Sequence, residues 1–237
     1  MVYVTSDLHG YPLADLQALL DGAGFTDKDF LVILGDVIDR GEHGAELLRW
    51  IMEQDNVELL LGNHELMMLG CDFLFSEITD TSVDEISTQD MKAFKLWQRN
   101  GAEPTLNGLK SLGRDAVAEI VEYLRECPLY EDVVIGGRRF VLTHGGLGNY
   151  EKGKMIEEYE DHDLVWYRPE LTEEFDDGFT LIVGHTPTWY YGDRYKGKMI
   201  RRKTWINIDT GAAMGLDPML LRLDDMKAFY ANRGENK

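Results

Sequence analysis

Residues 57–65 read Val57-Glu58-Leu59-Leu60-Leu61-Gly62-Asn63-His64-Glu65, an apolar run of strand length that breaks off at a glycine and hands over to an amide, an imidazole and a carboxylate. Groups of that kind coordinate cations or carry protons. In open α/β sheets, ligands bind outside the carboxyl ends of the strands, so a strand that exits into Asn and His predicts an active-site edge. Four other stretches repeat the design: Val2-Tyr3-Val4-Thr5-Ser6-Asp7-Leu8-His9-Gly10, Phe30-Leu31-Val32-Ile33-Leu34-Gly35-Asp36-Val37-Ile38-Asp39-Arg40-Gly41, Phe140-Val141-Leu142-Thr143-His144-Gly145-Gly146 and Thr180-Leu181-Ile182-Val183-Gly184-His185-Thr186. Five strands are therefore expected to deliver Asp, His and Asn side chains to one place.

The segments between them favour helices. After the first strand, Pro12 stands where a helix can begin, and Leu13, Leu16, Leu19 and Leu20 form a stripe that stops near Gly22 and Gly24. A strand over 30–34 is followed by a helix over 44–54 with Leu47, Leu48, Ile51 and Met52 on one face, then by the strand ending at Leu61. This β-α-β-α-β opening predicts parallel strands with right-handed crossovers and three exits on one edge. From 66–127 the pattern is mostly helical, clearest at Val117, Ile120, Val121 and Leu124, and is interrupted by a polar stretch, 76–90, that reads as a loop or lid. Trp97-Gln98-Arg99-Asn100-Gly101 reads as a helix end with Asn100 in a capping role and Gly101 just beyond it. The last third changes period: 133–135 and 138–142 flank Gly136-Gly137 as a hairpin with a two-residue turn, and further strands are expected at 181–183, 204–208 and 219–223. A β-α half followed by a β-rich half suits two packed sheets with helices outside.

At 237 residues the chain can bury a large core, and with no internal repeat or Pro/Gly/Ser-rich linker it reads as one α/β domain over 1–237. No apolar run approaches the roughly 18 residues that span a bilayer. No signal peptide and no membrane partner are expected, which places the protein in the cytoplasm. A formal charge of −19 argues against a nucleic-acid partner, because binding a phosphate backbone relies on Lys and Arg. Acid is dense over 157–163 and 170–177, read as solvated surface, and Cys71 and Cys127 read as free buried thiols.

The nitrogen and oxygen ligands at the strand exits are Asp7, His9, Asp36, Asn63, His144 and His185. Imidazole, carboxylate and amide together suit Mn²⁺, Fe or Zn²⁺. Six protein ligands are too many for one catalytic ion that keeps positions open, and they fit two ions about 3.5–4 Å apart. A basic run, Arg194, Lys196, Lys198, Arg201, Arg202 and Lys203, reads as a hairpin flanking that metal edge, where it would draw in an anionic substrate.

Asp7-x-His9, Gly35-Asp36-x-x-Asp39-Arg40, Gly62-Asn63-His64-Glu65, His144-Gly145-Gly146 and Gly184-His185-Thr186, in that order, resemble the metallophosphoesterases. Asp39-Arg40-Gly41 and Trp166-Tyr167-Arg168 resemble the bacterial and phage-type serine/threonine phosphoprotein phosphatases in particular, as does Trp97-x-x-Asn100-Gly101. The resemblance spans roughly residues 2–215. It implies a four-layer α/β sandwich of two mixed β-sheets flanked by helices, a single calcineurin-like domain with a helical insertion at about 66–127. It assigns Asp7, His9 and Asp36 to one metal, and Asp36, Asn63, His144 and His185 to a second, with Asp36 and a hydroxide bridging. Two divalent cations, Mn²⁺ first and Fe or Zn²⁺ next, are the implied cofactors.

His64 is then left over. On a chain still extended at Asn63 it faces the other way, free to serve as general acid with Asp39 fixing its tautomer. Arg40 and Arg168 carry the guanidinium forks that match a phosphoryl group. Asn207-Ile208-Asp209-Thr210-Gly211 reads as a strand exit that orients a ligand. The reading is a phosphomonoester hydrolase acting on phosphoserine or phosphothreonine in proteins, or on a small phosphoester. The alternatives are a symmetrical bis(5′-nucleosyl)-tetraphosphate hydrolase and a catalytically silent module that binds phosphoproteins or metal.

Overall fold

The computed structural model describes residues 1–75 and 86–231. The first half builds β1 (Val2–Thr5), α1 (Leu13–Ala23), β2 (Phe30–Ile33), α2 (Gly44–Met52) and β3 (Val57–Leu59). Leu16, Leu19 and Leu20 of the α1 stripe are buried and Leu13 is half-buried, and the helix stops where expected, at Gly24 with φ 76°, a left-handed cap that glycine adopts without strain. β1, β2 and β3 pair in parallel, with Val4 opposite Val32 and Ile33 opposite Leu59.

The third strand ends earlier than its apolar run. Asn63-His64-Glu65 does not continue the strand but opens α3 (Asn63–Leu69). Gly62, extended at ψ 177°, is the cap, and Glu65 Oε2 accepts its backbone N–H at 3.0 Å. The carboxylate three residues into the helix satisfies an N–H that the helix start would leave open.

Three further helices follow: α4 (Thr88–Arg99), α5 (Glu103–Leu112) and α6 (Arg114–Glu126). Of the polar stretch 76–90, residues 76–85 lie outside the described residues, and Ser87 caps α4 by accepting the Asp90 N–H. α4 ends at Asn100, and Gly101 follows with φ 103°. The β-rich half opens with β4 (Tyr130–Ile135) and β5 (Arg138–Thr143), joined through Gly136 and Gly137, both at positive φ, as a two-residue hairpin turn of the favoured hand requires. β6 (Thr180–Val183), β7 (Ile200–Arg201) and β8 (Trp205–Asn207) complete one sheet in the order β4-β5-β6-β8-β7, with a short helix α7 (Asp161–Val165) between β5 and β6. β9 (Met219–Arg222) and β10 (Lys227–Tyr230) return to the first sheet, which runs β10-β9-β1-β2-β3. Both sheets are mixed. β7, two residues long, falls in the hairpin read for the basic run, whereas β10, flanked by polar groups, has no counterpart in the sequence reading.

Three apolar layers hold four structural ones. Val4, Val32, Leu34 and Leu60 of the first sheet meet Phe140, Leu142, Ile182 and Ile206 of the second. The outer face of the first sheet, with Tyr3, Leu31 and Ile33, packs on the helices through Leu16, Leu47, Leu48, Ile120 and Leu124. The outer face of the second, with Val141, Leu181 and Val183, is covered by Leu164, Val165 and Phe175. Sequestering both faces of each sheet follows from strands that are apolar on both sides at their centres. Among the described residues no helix is long and apolar enough to cross a membrane, and Cys71 and Cys127 are free thiols.

The basic run corrects an expectation. Residues 193–195 form a 3-10 turn, and only Ile200 and Arg201 pair with β8, antiparallel, with Ile200 opposite Asn207. The chain thus runs away from the β8 exit as it passes from Arg201, opposite Ile206, to Arg202 and Lys203, which sit at the entrance to β8, and Lys203 pairs with Glu174 at 2.7 Å. Arg202 and Lys203 therefore do not flank the strand exits, while the start of the run lies nearer to them: Tyr195 O, between Arg194 and Lys196, accepts the Thr188 hydroxyl, and the Thr188 N–H donates to Asp209 O past the β8 exit.

Candidate metal centre

The exits of β1, β2, β5 and β6 and the start of α3 converge. Cross-links between exits fix the loops: Asp7 N–H donates to Gly35 O (3.1 Å), His9 N–H to Asp36 O (2.8 Å) and Gly184 N–H to His144 O (2.8 Å). Among the described residues eight other than glycine have positive φ, and six of them are here: Asp7, His9, Asp36, Asp39, Arg40 and His185. Backbone strain of this kind, costing of order 1–3 kcal/mol per residue, persists where the surrounding structure over-determines it and concentrates at functional sites. Gly35, at φ 81°, could not carry a side chain, since a Cβ would lie 2.5 Å from Gly62 Cα and 2.9 Å from His144 Nδ1. The two Gly-polar pairs, Gly35-Asp36 and Gly62-Asn63, thus pack backbone on backbone and bring their side chains together.

Two ligand groups share one carboxylate. His9, Asp36 and His64 form one cluster and Asp36, His144 and His185 the other, with ligand atoms within 4.8 Å of one another in each and every member buried. Asp36 Oδ2 lies 3.4 Å from His9 Nε2, and its Oδ1 lies 3.4 Å from His144 Nε2. Asp7 Oδ1 is 4.0 Å from His9 Nε2; its Oδ2 accepts the His185 N–H (2.9 Å) and the Ser6 hydroxyl. Asn63 Oδ1 lies 3.0 Å from His144 Nε2. All six expected ligand residues are therefore in one buried place. His64, expected to face away, lies on the same side of Asp36 as His9, because the helical turn at α3 replaces the alternation of a strand.

The electrostatics of this cluster fit a cation. His9 Nδ1 donates to Ile38 O (3.0 Å) and His144 Nδ1 to Leu34 O (2.6 Å), which sets each ring with Nε2 toward Asp36. Burial pushes the His9 pKa down to about 3, and burial with the His144 and Arg168 charges pushes His185 down to about 2, so both rings stay neutral with a lone pair each. His185 Nε2 is buried with no hydrogen-bond partner, a costly orphan in a protein interior. Burial opposes the charged form of His144, yet the Asp36 and Asp7 carboxylates raise its pKa to about 10, so without metal the ring itself supplies the missing positive charge. Burial and the Asp36 charge raise Asp7 to about 6, and burial with the Asp7 charge raises Asp209 well above the usual carboxylate range. Buried carboxylates with this much mutual repulsion, beside an unpartnered imidazole nitrogen, are the environment that divalent cations relieve.

One contributor, Glu65, escaped the sequence reading. Glu65 is fully buried, and its carboxylate accepts the N–H groups of Asp36 (2.8 Å), Val37 (2.9 Å), Ile38 (3.3 Å) and Gly62 (3.0 Å). It clamps the exit of β2 to the start of α3 and so aims Asp36. Its motif was visible, but nothing in the sequence assigns four backbone donors to it. Asp209, in the stretch read as a strand exit that orients a ligand, accepts the Gly211 N–H (2.9 Å) and lies close enough to Asp7 for the Asp7 charge to raise its pKa.

On the His9 side, His64 Nδ1 donates to Asp39 Oδ2 at 2.6 Å. Burial works against charging His64, but the Asp36 and Asp39 carboxylates raise its pKa above the ordinary value. Asp39 also accepts the Trp97 indole N–H (2.8 Å) and the Thr105 hydroxyl (2.6 Å). Arg40 and Arg168 stand on opposite flanks. Arg40 donates from Nη1 to His9 Nε2 (3.1 Å) and from Nη2 to His64 Nε2 (3.0 Å), and Arg168 donates to the Thr186 hydroxyl (3.1 Å) beside His185. Both side chains are exposed. Asn100 is a cap, donating to Leu96 O.

Comparison with known proteins agrees with this geometry. A symmetrical bis(5′-nucleosyl)-tetraphosphatase of Chromobacterium violaceum is 36% identical over 103 residues, 41% of this chain and 36% of that relative, so the match covers only about a third of the relative's length. An asymmetrical bis(5′-nucleosyl)-tetraphosphatase of Halalkalibacterium halodurans is 23% identical over 94% of this chain and 90% of its own. Serine/threonine-protein phosphatase 2 of Salmonella typhimurium is 24% identical over 89% and 87%. Among solved structures, a cold-active protein-tyrosine phosphatase of a psychrophilic Shewanella shares the fold at a TM-score of 0.58 and 18% identity, covering 97% of this chain and 80% of that one. The model of the calcineurin-like phosphoesterases matches residues 1–208, and with the shared carboxylate and its histidines in place the chain belongs to that family of metallophosphoesterases.

Proposed function

We propose that the protein is a dinuclear-metal phosphomonoesterase acting on phosphoserine and phosphothreonine in proteins, with the whole chain as one domain and 66–127 as its helical insertion. Asp7, His9 and Asp36 would hold one cation, and Asp36, Asn63, His144 and His185 the other; Mn²⁺ is the first candidate, and Fe or Zn²⁺ suits the same donors. Bound there, the cations supply neutralisation of phosphate charge and acidification of the attacking water. Arg40 and Arg168 grip the phosphoryl oxygens from opposite flanks. For His9 to serve as a ligand and His64 to carry a proton on Nε2, the exposed Arg40 side chain would leave both Nε2 atoms, free to meet a phosphoryl oxygen.

The observation that carries this reading is the buried Asp39–His64 pair. A serine or threonine alkoxide is a poor leaving group and needs a proton as it departs, which an imidazole backed by a carboxylate supplies. A nucleoside polyphosphate leaves as a stable anion and needs no such donor. The similarity to tetraphosphatases favours a second reading, hydrolysis of dinucleoside tetraphosphates, on the same ligands. Turnover of a phosphoserine peptide and of diadenosine tetraphosphate, measured side by side with manganese, separates the two. The proposal expects the higher kcat/KM on the peptide; turnover of the dinucleotide with none of the peptide would overturn it.

A further inference from the structure

Asp39 has no solvent exposure, and two of its three side-chain partners come from the helical segment rather than from the sheet edge. Oδ2 receives His64 Nδ1–H and Trp97 Nε1–H, and Oδ1 receives the Thr105 hydroxyl, while the Asp39 N–H returns to Thr105 Oγ1 at 2.8 Å. Trp97 lies in the last turn of α4 and Thr105 in the first turn of α5, and between them Gly101 O accepts the Arg40 N–H at 2.9 Å. Both side chains are buried, at 0% and 1% exposure. Shape alone would be met by Phe at 97 and Val at 105, so the indole N–H and the hydroxyl are not needed for packing. Each is committed to one oxygen of a single carboxylate. Three donors arriving from different directions leave that carboxylate no rotation, and Thr105 also holds the Asp39 backbone in its left-handed conformation, φ 68°.

We propose that Trp97 and Thr105 are positioning residues for the leaving-group step: they lock the Asp39 rotamer, and through it the tautomer and ring plane of His64, so that proton donation depends on α4 and α5 being seated on the sheet edge. This rests on the reading of His64 as the acid. A buried carboxylate oxygen that loses its donor turns toward another, and with water excluded the turn takes the His64 ring with it.

The test uses the full chain and the variants Thr105→Val, Thr105→Ser and Trp97→Phe. In ¹⁵N-labelled, zinc-loaded protein, the His64 Nδ1–H should give a downfield, slowly exchanging resonance. That signal should be lost or broadened in Thr105→Val and Trp97→Phe and kept in Thr105→Ser, with cooperative melting in all. With manganese, kcat for a phosphoserine peptide should fall about 10–100-fold in Thr105→Val, while an ester of an acidic phenol changes by no more than about twofold, since it leaves without a proton. A resonance unchanged in both variants, or equal losses for both esters in step with lost stability, would overturn the proposal. If the parent hydrolyses neither ester, the phosphatase reading fails on its own, because the resonance reports the Asp39–His64 geometry without turnover.

Discussion

His64 Nδ1 donates to Asp39 at 2.6 Å, and its Nε2 lies 3.8 Å from Asp36, so the ring stands beside the shared carboxylate without being the group that both clusters need. Its replacement should therefore separate acid chemistry from metal binding. His64→Asn is expected to lower kcat for alkyl phosphate esters by about 10²–10⁴-fold, to affect esters of acidic phenols far less, and to leave the bound metal in place. Steady-state rates on the two ester types, with metal content measured on the same samples, check this. Equal loss on both would show that His64 is a ligand or a phosphate contact and not an acid.

At the scale of elements, the site is made by turns rather than by the strands themselves. The apolar runs announced β1, β2, β5 and β6 because their exits carry Asp or His at the point where the run stops, and period-two burial is local information. Residues 57–65 misled in one respect. The apolar run continues to Leu61, but β3 stops at Leu59 and a helix starts at Asn63, since Glu65 caps the turn through a backbone N–H that no residue pattern displays. Trp97 and Thr105 were out of reach for a different reason: their partner, Asp39, is distant in sequence, and only the docking of α4 and α5 brings them together. The turns leave little tolerance. Gly35 combines a left-handed backbone with a neighbouring backbone 2.5 Å from where a Cβ would stand, so Gly35→Ala is expected to destabilise the fold by about 2–4 kcal/mol, read as a shift of the urea midpoint at unchanged slope. A change under about 0.5 kcal/mol, the usual range for a surface substitution, would mean that the two glycine turns are not locked together.

For the molecule as a whole, a formal charge of −19 coexists with a function that calls for an anionic substrate, and the basic run at 194–203 meets this only in part, since Arg202 and Lys203 lie at the entrance of β8 and not at the exits. Attraction comes from within as well. The two sheets press their exits together so that Asp7, Asp36 and Asp209 are buried together with His9, His144 and His185, and bound cations would offset the cost of collecting those carboxylates. The most direct test of this account is the number of manganese ions bound per chain at saturation, by elemental analysis after removal of free metal. Two per parent chain, falling below one in Asp36→Asn because that carboxylate serves both clusters, is the predicted result. A parent chain that holds no more than one ion at saturation would contradict it.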